Sequence, residues 1–216
     1  MRVIAAAVLA MMALAVAGPT ARQRETHGRL FSPRDLGLLE SPDRDDWQQP
    51  DAVMDRLGVF DGARVADLGA GGGWFTIRLA RRVGPNGLVY AEDIQREMIE
   101  SIARRVEREG LANVRTILGA ADDPHLPAGL HAVLIVDTYP QLRDPVGLLR
   151  HVRAALAPNG RLGIVDFKTD GAGGPGPDIE DRLDPESIKR DAARAGFTLQ
   201  AHETFLRYQY LLIFGK

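Results

Sequence analysis

Short apolar runs and longer amphipathic stretches alternate along this chain from residue 50 onward. Val53, Met54 and Leu57 recur at helical spacing, so a first helix is expected over Pro50 to Leu57. A strand follows from Gly62 to Asp67, then a helix from Phe75 to Val83 that Gly84-Pro85 stops. Asn86-Gly87 turns the chain into Leu88 to Ala91, a run with the character of a buried strand. Met98, Ile99, Ile102, Ala103 and Val106 mark the inner face of the next helix, which Gly110 closes. Val114 to Leu118 and Ala132 to Val136 read as a third and a fourth strand. The fourth is apolar throughout, as a strand covered on both faces must be. Pro145 to Leu156 is helical, Pro158-Asn159-Gly160 a turn, and Arg161 to Val165 a fifth strand. Asp184-Pro185 has the form of an N-cap followed by proline in the first turn, and Gly196 ends the helix they open. Phe197 to Glu203 and Gln209 to Phe214 form an expected antiparallel pair. This alternation predicts one α/β domain, a mostly parallel sheet between helices.

The ends differ from the middle. Arg2 precedes an unbroken apolar run of 15 residues, Val3 to Ala17, and Ala15-Val16-Ala17 offers a small-x-small cleavage site. The run falls short of the ~20 apolar residues that span a bilayer. Residues 1–17 are therefore expected to be a signal peptide, and the protein to be exported, in the periplasm, with no stable membrane insertion after cleavage. A membrane tether through an uncleaved N-terminus is the alternative. No cysteine stands there to carry a lipid, and the single Arg excludes a twin-arginine signal. Residues 18–45 are polar and arginine-rich, with Pro33 and Pro42 as breakers, and read as an irregular arm before a domain over 46–216. Gly171 to Pro177 is a low-complexity, flexible loop.

Charge and cysteine content remove several function classes. The formal net charge is −2, and loss of Arg2 with the leader makes it one unit more negative. A nucleic-acid footprint is not expected from that balance. The absence of cysteine excludes disulfides, a thiolate nucleophile and thiolate metal sites. His27, His125, His131, His151 and His202 show no ligand spacing. Oligomeric state has no signature.

The chemistry concentrates in Val65-Ala66-Asp67-Leu68-Gly69-Ala70-Gly71-Gly72-Gly73-Trp74. A strand runs into an acid, a glycine-dense turn and a helix, the arrangement that lets a backbone approach a nucleotide at the end of a parallel strand. A dinucleotide site wants a small residue where this chain has Trp74, which argues against NAD or FAD. The run instead resembles motif I of class I S-adenosylmethionine-dependent methyltransferases. That resemblance implies a Rossmann-like, doubly wound seven-stranded sheet of order 3-2-1-4-5-7-6 with the last strand antiparallel. It also implies S-adenosylmethionine as cofactor. Leu156-Ala157-Pro158-Asn159-Gly160-Arg161-Leu162 is similar to the family's L-x-P-G-G-x-L turn, with Asn159 in place of one Gly; Asn tolerates the left-handed backbone expected there. The closing Tyr208 to Phe214 is similar to the family's final strand. Arg44, Trp47 and Gln49-Pro50 look like the opening segment of a subgroup that folds over the cofactor, although Trp47 also suits a core position.

The resemblance assigns roles residue by residue. Asp67, Gly69, Gly71 and Gly73 would hold the methionyl part of the cofactor. Asp93, 24 residues beyond Gly69 and opening a D-x-x-x-x-M pattern with Met98, would hold the ribose, with Glu92 as the fallback. Asp122, in the loop after the third strand, would meet the adenine edge, with Asp123 as the alternative. Asp137 and Tyr139 follow the fourth strand, where the transferable methyl should point, and are the candidate catalytic groups. Asp137 also suits the methionyl end. Asp137 and Asp166 end neighbouring strands, where one branch of the family binds a divalent cation; no metal is expected here. The expected activity is methyl transfer to a small molecule. A non-catalytic protein of the same fold, binding the cofactor or another nucleoside-like ligand outside the cytoplasm, is the alternative. An NAD-linked oxidoreductase is a third reading, disfavoured by Trp74.

Overall fold

The computed structural model describes residues 30–170 and 173–216. The leader-like run and the other residues before 30 lie outside the described part, as do two residues of the glycine-rich loop. Seven strands form one sheet in the order β3-β2-β1-β4-β5-β7-β6, the order and architecture expected. They are β1 (Arg64–Leu68), β2 (Leu88–Asp93), β3 (Val114–Leu118), β4 (Leu130–Val136), β5 (Leu156–Phe167), β6 (Thr198–Glu203) and β7 (Gln209–Gly215). β7 runs antiparallel to both its neighbours, and the other pairs are parallel.

Alternation along the central strands sorts their side chains to two cores. Val65 goes to one side with α2 (Pro50–Leu57), α3 (Trp74–Val83) and α4 (Arg96–Arg108). Ala66 and Leu68 go to the other with α5 (Pro145–Ala155) and α6 (Pro185–Arg194). Asp184 caps α6 by accepting from the Glu186 N–H, with Pro185 in the first turn, as expected. Among the described residues no helix is long and apolar enough to cross a membrane.

Two expectations change. The segment before the domain is not irregular where it is described. A 3-10 helix spans Pro33–Leu39, with Ser32 accepting from the Arg34 N–H, and α1 covers Arg44–Gln48, across the expected boundary at residue 46. Pro33, read as a breaker, instead sits in the first turn, where proline needs no hydrogen-bond partner. The second change concerns Pro158-Asn159-Gly160. The turn is a bulge within β5: Leu130 pairs Leu156 and Ala132 pairs Arg161. Asn159 is not among the positive-φ residues, so the left-handed backbone expected there is not formed. Gly160 is required for a different reason. A Cβ on it would stand 2.7 Å from the Leu130 carbonyl oxygen and 3.0 Å from that of Ala157. Gly160→Ala should therefore cost about 1–3 kcal/mol through overpacking, read as a lower urea midpoint with an unchanged m-value.

Candidate functional site

The strand order reverses between β1 and β4, and there the sheet opens into a cavity of about 270 Å³. Its wall includes Gly69, Gly71 and Gly72 from the turn after β1, Glu92 and Asp93 from the end of β2, Ala120 and Ala121 from the loop after β3, and Asp137 and Thr138 from the end of β4. Phe31, Leu39, Glu40 and Arg44, from the N-terminal segment, close one side.

The glycine turn fits its role sterically. Gly69 has φ +68°, and a Cβ there would stand 2.3 Å from Thr138 Cγ2. The turn and the end of β4 thus touch only because residue 69 lacks a side chain. The hydroxyl of Thr138 donates to the Gly69 carbonyl at 3.2 Å. Asp93 ties the same turn to β2: its Oδ2 accepts the Gly71 N–H at 3.0 Å and its Oδ1 the Gln95 N–H at 2.9 Å. A carboxylate accepts about four hydrogen bonds, so both oxygens keep capacity toward the cavity. Asp67 is buried behind the turn and accepts from Thr76 Oγ1 at 2.6 Å. Glu92 accepts the Gly69 N–H at 3.3 Å. Burial pushes Glu92 up to about 8 and Asp67 up to about 6, and raises Asp93 against its backbone donors.

Three assigned residues fall elsewhere. Asp122 is exposed and does not line the cavity; the loop turns Ala120 and Ala121 inward instead. Its alternative, Asp123, accepts the His125 N–H at 2.8 Å and faces His151. Gly73 is the left-handed cap of α3 rather than a wall residue, and a Cβ on it would press on Ile102 at 3.3 Å. Tyr139 is buried on the opposite side of the sheet, its hydroxyl 3.3 Å from Asp191 Oδ2 on α6. Asp137 and Tyr139 would share a face if the strand continued. Asp137 instead takes φ +54° and a 3-10 turn begins at Tyr139, so the alternation breaks and the phenol swings away. Burial and the nearby Asp191 carboxylate raise its pKa.

Asp137 does face the cavity, within a polar cluster that sequence reasoning reached only in part. Its Oδ1 accepts from Gln209 Nε2 at 2.5 Å, and its Oδ2 lies 3.4 Å from Gln48 Nε2 and 3.9 Å from Arg44 Nη2. Gln48 also donates to Gln209 Oε1 at 3.0 Å. Seclusion pushes Asp137 up to about 6, with Arg44 and the two amides opposing. Asp166, on β5, is buried beside it and raised well above the ordinary range, by burial first and by Asp137 second. Gln48 and Gln209 were missed. The available signal was Gln209 itself, an amide inside a strand that is buried along its whole length and so needs a partner. Trp47 takes the core position, 6.1 Å from Phe167.

The methyltransferase-domain family matches residues 65–160, from β1 through the bulge of β5. Residues 65–160 therefore form a methyltransferase domain, of the class I S-adenosylmethionine-dependent type. A SAM-dependent methyltransferase from Aquifex aeolicus superposes with a TM-score of 0.81 at 25% identity, over 86% of this chain and 98% of that one. Nocamycin O-methyltransferase from Saccharothrix syringae is 33% identical over 116 residues, 52% of this chain and 40% of the relative. The catalytic subunit of a tRNA (adenine(58)-N(1))-methyltransferase from Cryptococcus neoformans is 42% identical over 60 residues, 28% of this chain and 14% of the relative. The chain thus spans less than half of these two curated relatives. S-adenosylmethionine is the cofactor of this family, and the glycine cradle with Asp93 on one cavity fits it.

The buried carboxyl groups make stability depend on pH with a definite sign. A glutamate ordinarily titrates near 4.5, and Glu92 does so near 8 in the folded chain. Between these values the folded state holds a proton that the unfolded state lacks, so stability falls as pH rises. Asp67 and Asp137 act with the same sign from 3.8 to about 6. The unliganded protein should lose on the order of 6 kcal/mol between pH 5 and pH 8 in denaturant titrations, more than half of it from Glu92. Glu92→Gln should flatten most of the slope above pH 6; an unchanged slope would place the titrating group elsewhere.

Proposed function

We propose that this protein transfers a methyl group from S-adenosylmethionine to a small-molecule acceptor by direct displacement. The observation that carries the reading is the joint placement of the glycine turn and Asp93. Both lie on one cavity at the switch point, hydrogen-bonded to each other at 3.0 Å. Asp93 would hold the ribose hydroxyls, the turn at Gly69 and Gly71 and the buried Asp67 would border the methionyl part, and Ala120 and Ala121 would wall the base. The cofactor, when bound, supplies a methyl group already activated by the positive charge on sulfur. What remains for the protein is alignment and exclusion of water, and alignment alone is worth roughly 7–11 kcal/mol of barrier. Leu30, Phe31, Leu39 and Leu142 line the cavity and suit a largely apolar acceptor.

Acceptor chemistry in the relatives is mixed, and two features favour a small molecule. The match to the nocamycin enzyme is nearly twice as long as that to the tRNA enzyme, 116 against 60 residues. The chain also carries net charge −2, without the basic surplus that nucleic-acid binding uses. The leader-like pattern of residues 1–17 supports export to the periplasm, and it favours a second reading. A chain separated from the cytoplasm meets S-adenosylmethionine only if the cofactor is delivered or carried out, so a binding protein without turnover is the alternative.

Calorimetric titration separates these readings when paired with a labelled methyl donor. S-adenosylmethionine and S-adenosylhomocysteine should bind at micromolar Kd, and NAD should not bind. Asp93→Ala should weaken both nucleosides about 10- to 100-fold, the range for losing hydrogen bonds to a charged group. Unchanged affinity in that variant would overturn the site assignment. Tight binding without methyl transfer to any acceptor in a screen would select the second reading.

A further inference from the structure

We infer that the opposite end of the sheet carries a second ligand site, shaped for a small organic carboxylate with an apolar body. The inference goes beyond the methyl-transfer reading and does not depend on it. A second, more open cavity of about 490 Å³ lies at the amino end of β4. Leu57 and Phe60 wall it from the end of α2 and the turn after it, His131 from β4, and Ala157 to Arg161 from the bulge of β5. The glycine turn, Asp93 and Asp137 occupy the carboxyl ends of their strands, and the two cavities share no wall residue.

One side of this cavity is apolar. The Phe60 ring meets the His131 ring edge-on, with centroids 5.1 Å apart and planes at 71°. That contact holds the phenyl in place, yet 52% of the residue stays exposed. Leu57 is buried beneath, and Ala157 and Pro158 continue the apolar surface along the bulge.

The other side consists of donors without partners. The Arg64 N–H donates to His131 Nδ1 at 2.9 Å, which assigns the imidazole proton to Nε2 and leaves that N–H to donate. Arg161 is exposed, and among the described residues its guanidinium makes no hydrogen bond and no ion pair. Its place is nonetheless defined. A Cβ on Gly58 would stand 3.2 Å from Arg161 Nη1, so the guanidinium lies against bare backbone at the carboxyl end of α2, where the helix dipole favours a cation. The Asn159 side chain is also exposed and without a hydrogen bond among the described residues. Lys216 brings a second cation to the same bulge, its Nζ donating to the Leu156 carbonyl at 2.7 Å. No carboxylate stands among the wall residues.

This division selects the ligand class. A guanidinium pairs its fork with the two oxygens of a carboxylate. The His131 N–H and the Asn159 amide can serve the remaining lone pairs. An inorganic anion would use the cations and leave the phenyl and proline surface in water. A neutral ligand would leave Arg161 unpaired, and a cation would be repelled. Only an acid with an apolar body uses both sides.

The test is a ligand-observed NMR titration of the full chain with 3-phenylpropionate and with its amide, which has the same shape without the charge. The acid should bind with a Kd of about 1 mM or below, and the amide about tenfold or more weaker. Saturating S-adenosylhomocysteine should leave the affinity for the acid within about twofold, as expected for separate sites. Arg161→Gln should abolish the preference for the acid, and Phe60→Ser should weaken acid and amide alike. Both variants should keep the parent's unfolding midpoint, since neither side chain is buried. Equal affinity of the parent for acid and amide would overturn the proposal, a comparison that needs no variant. So would an acid preference that survives Arg161→Gln, or displacement of the acid by S-adenosylhomocysteine, which would put it in the cavity at the other end. Absence of saturable binding by the acid would overturn it as well. None of these outcomes bears on whether the chain transfers methyl groups.

Discussion

The reversal of strand order between β1 and β4 is the constraint on which the other features of this protein depend. Connections from the two strands leave toward opposite faces, so their carboxyl ends cannot be covered by either helix layer. The resulting gap is narrow. Gly69 and Thr138 meet across it at a distance that excludes even a methyl group on the glycine. Everything that gives the site its chemistry is brought in around this contact: Asp93 from one neighbouring strand, Asp137 from the other, and Arg44 from outside the sheet.

What could be read from the residues alone follows the strength of local signals. The strands announce themselves because β1, β4 and β7 are buried over nearly their whole length, which demands apolar runs. Caps such as Asp184-Pro185 are local chemistry and appear where expected. The glycine turn and Asp93 are equally local, and both line the cavity. Misplacements occur where a single backbone angle redirects a side chain. Tyr139 was placed by its position just after the fourth strand, where the left-handed Asp137 redirects the chain. Asp122 was placed by loop position, but its loop presents two alanines to the cavity instead. Asn159 was assigned a conformation, when the reason for its neighbour Gly160 is close backbone packing in the bulge. Gln48 was invisible for another reason. Its partners Asp137 and Gln209 lie 89 and 161 residues away, and no periodicity encodes such a meeting.

The N-terminal segment completes the cavity with little apolar burial of its own. No residue of the 3-10 helix Pro33–Leu39 is buried. Polar contacts attach the segment instead. The Phe31 N–H donates to Gln141 and the Phe31 carbonyl accepts from Gln95, each at 3.0 Å, while Glu40 pairs with Arg105 beside Gly72. Segments held this way sit at the low end of local stability. The firm anchor comes later, at α1, where Trp47 and Gln48 are buried and Arg44 reaches the cavity. Covering the site and defining its charge are thus divided between adjacent stretches of chain.

Trp74 marks where these stretches meet the sheet. It was notable in the sequence as the residue that a dinucleotide site would not tolerate. In the structure it is a platform for two guanidinium groups, with Arg78 at 3.5 Å and Arg44 at 4.3 Å from the ring centre. The chain has two tryptophans, and the other, Trp47, packs against Phe167 and Tyr208 and does not border the cavity. Trp74 and Arg44 both border the cavity, so the indole that would forbid a dinucleotide here instead holds in place the cation that faces the site.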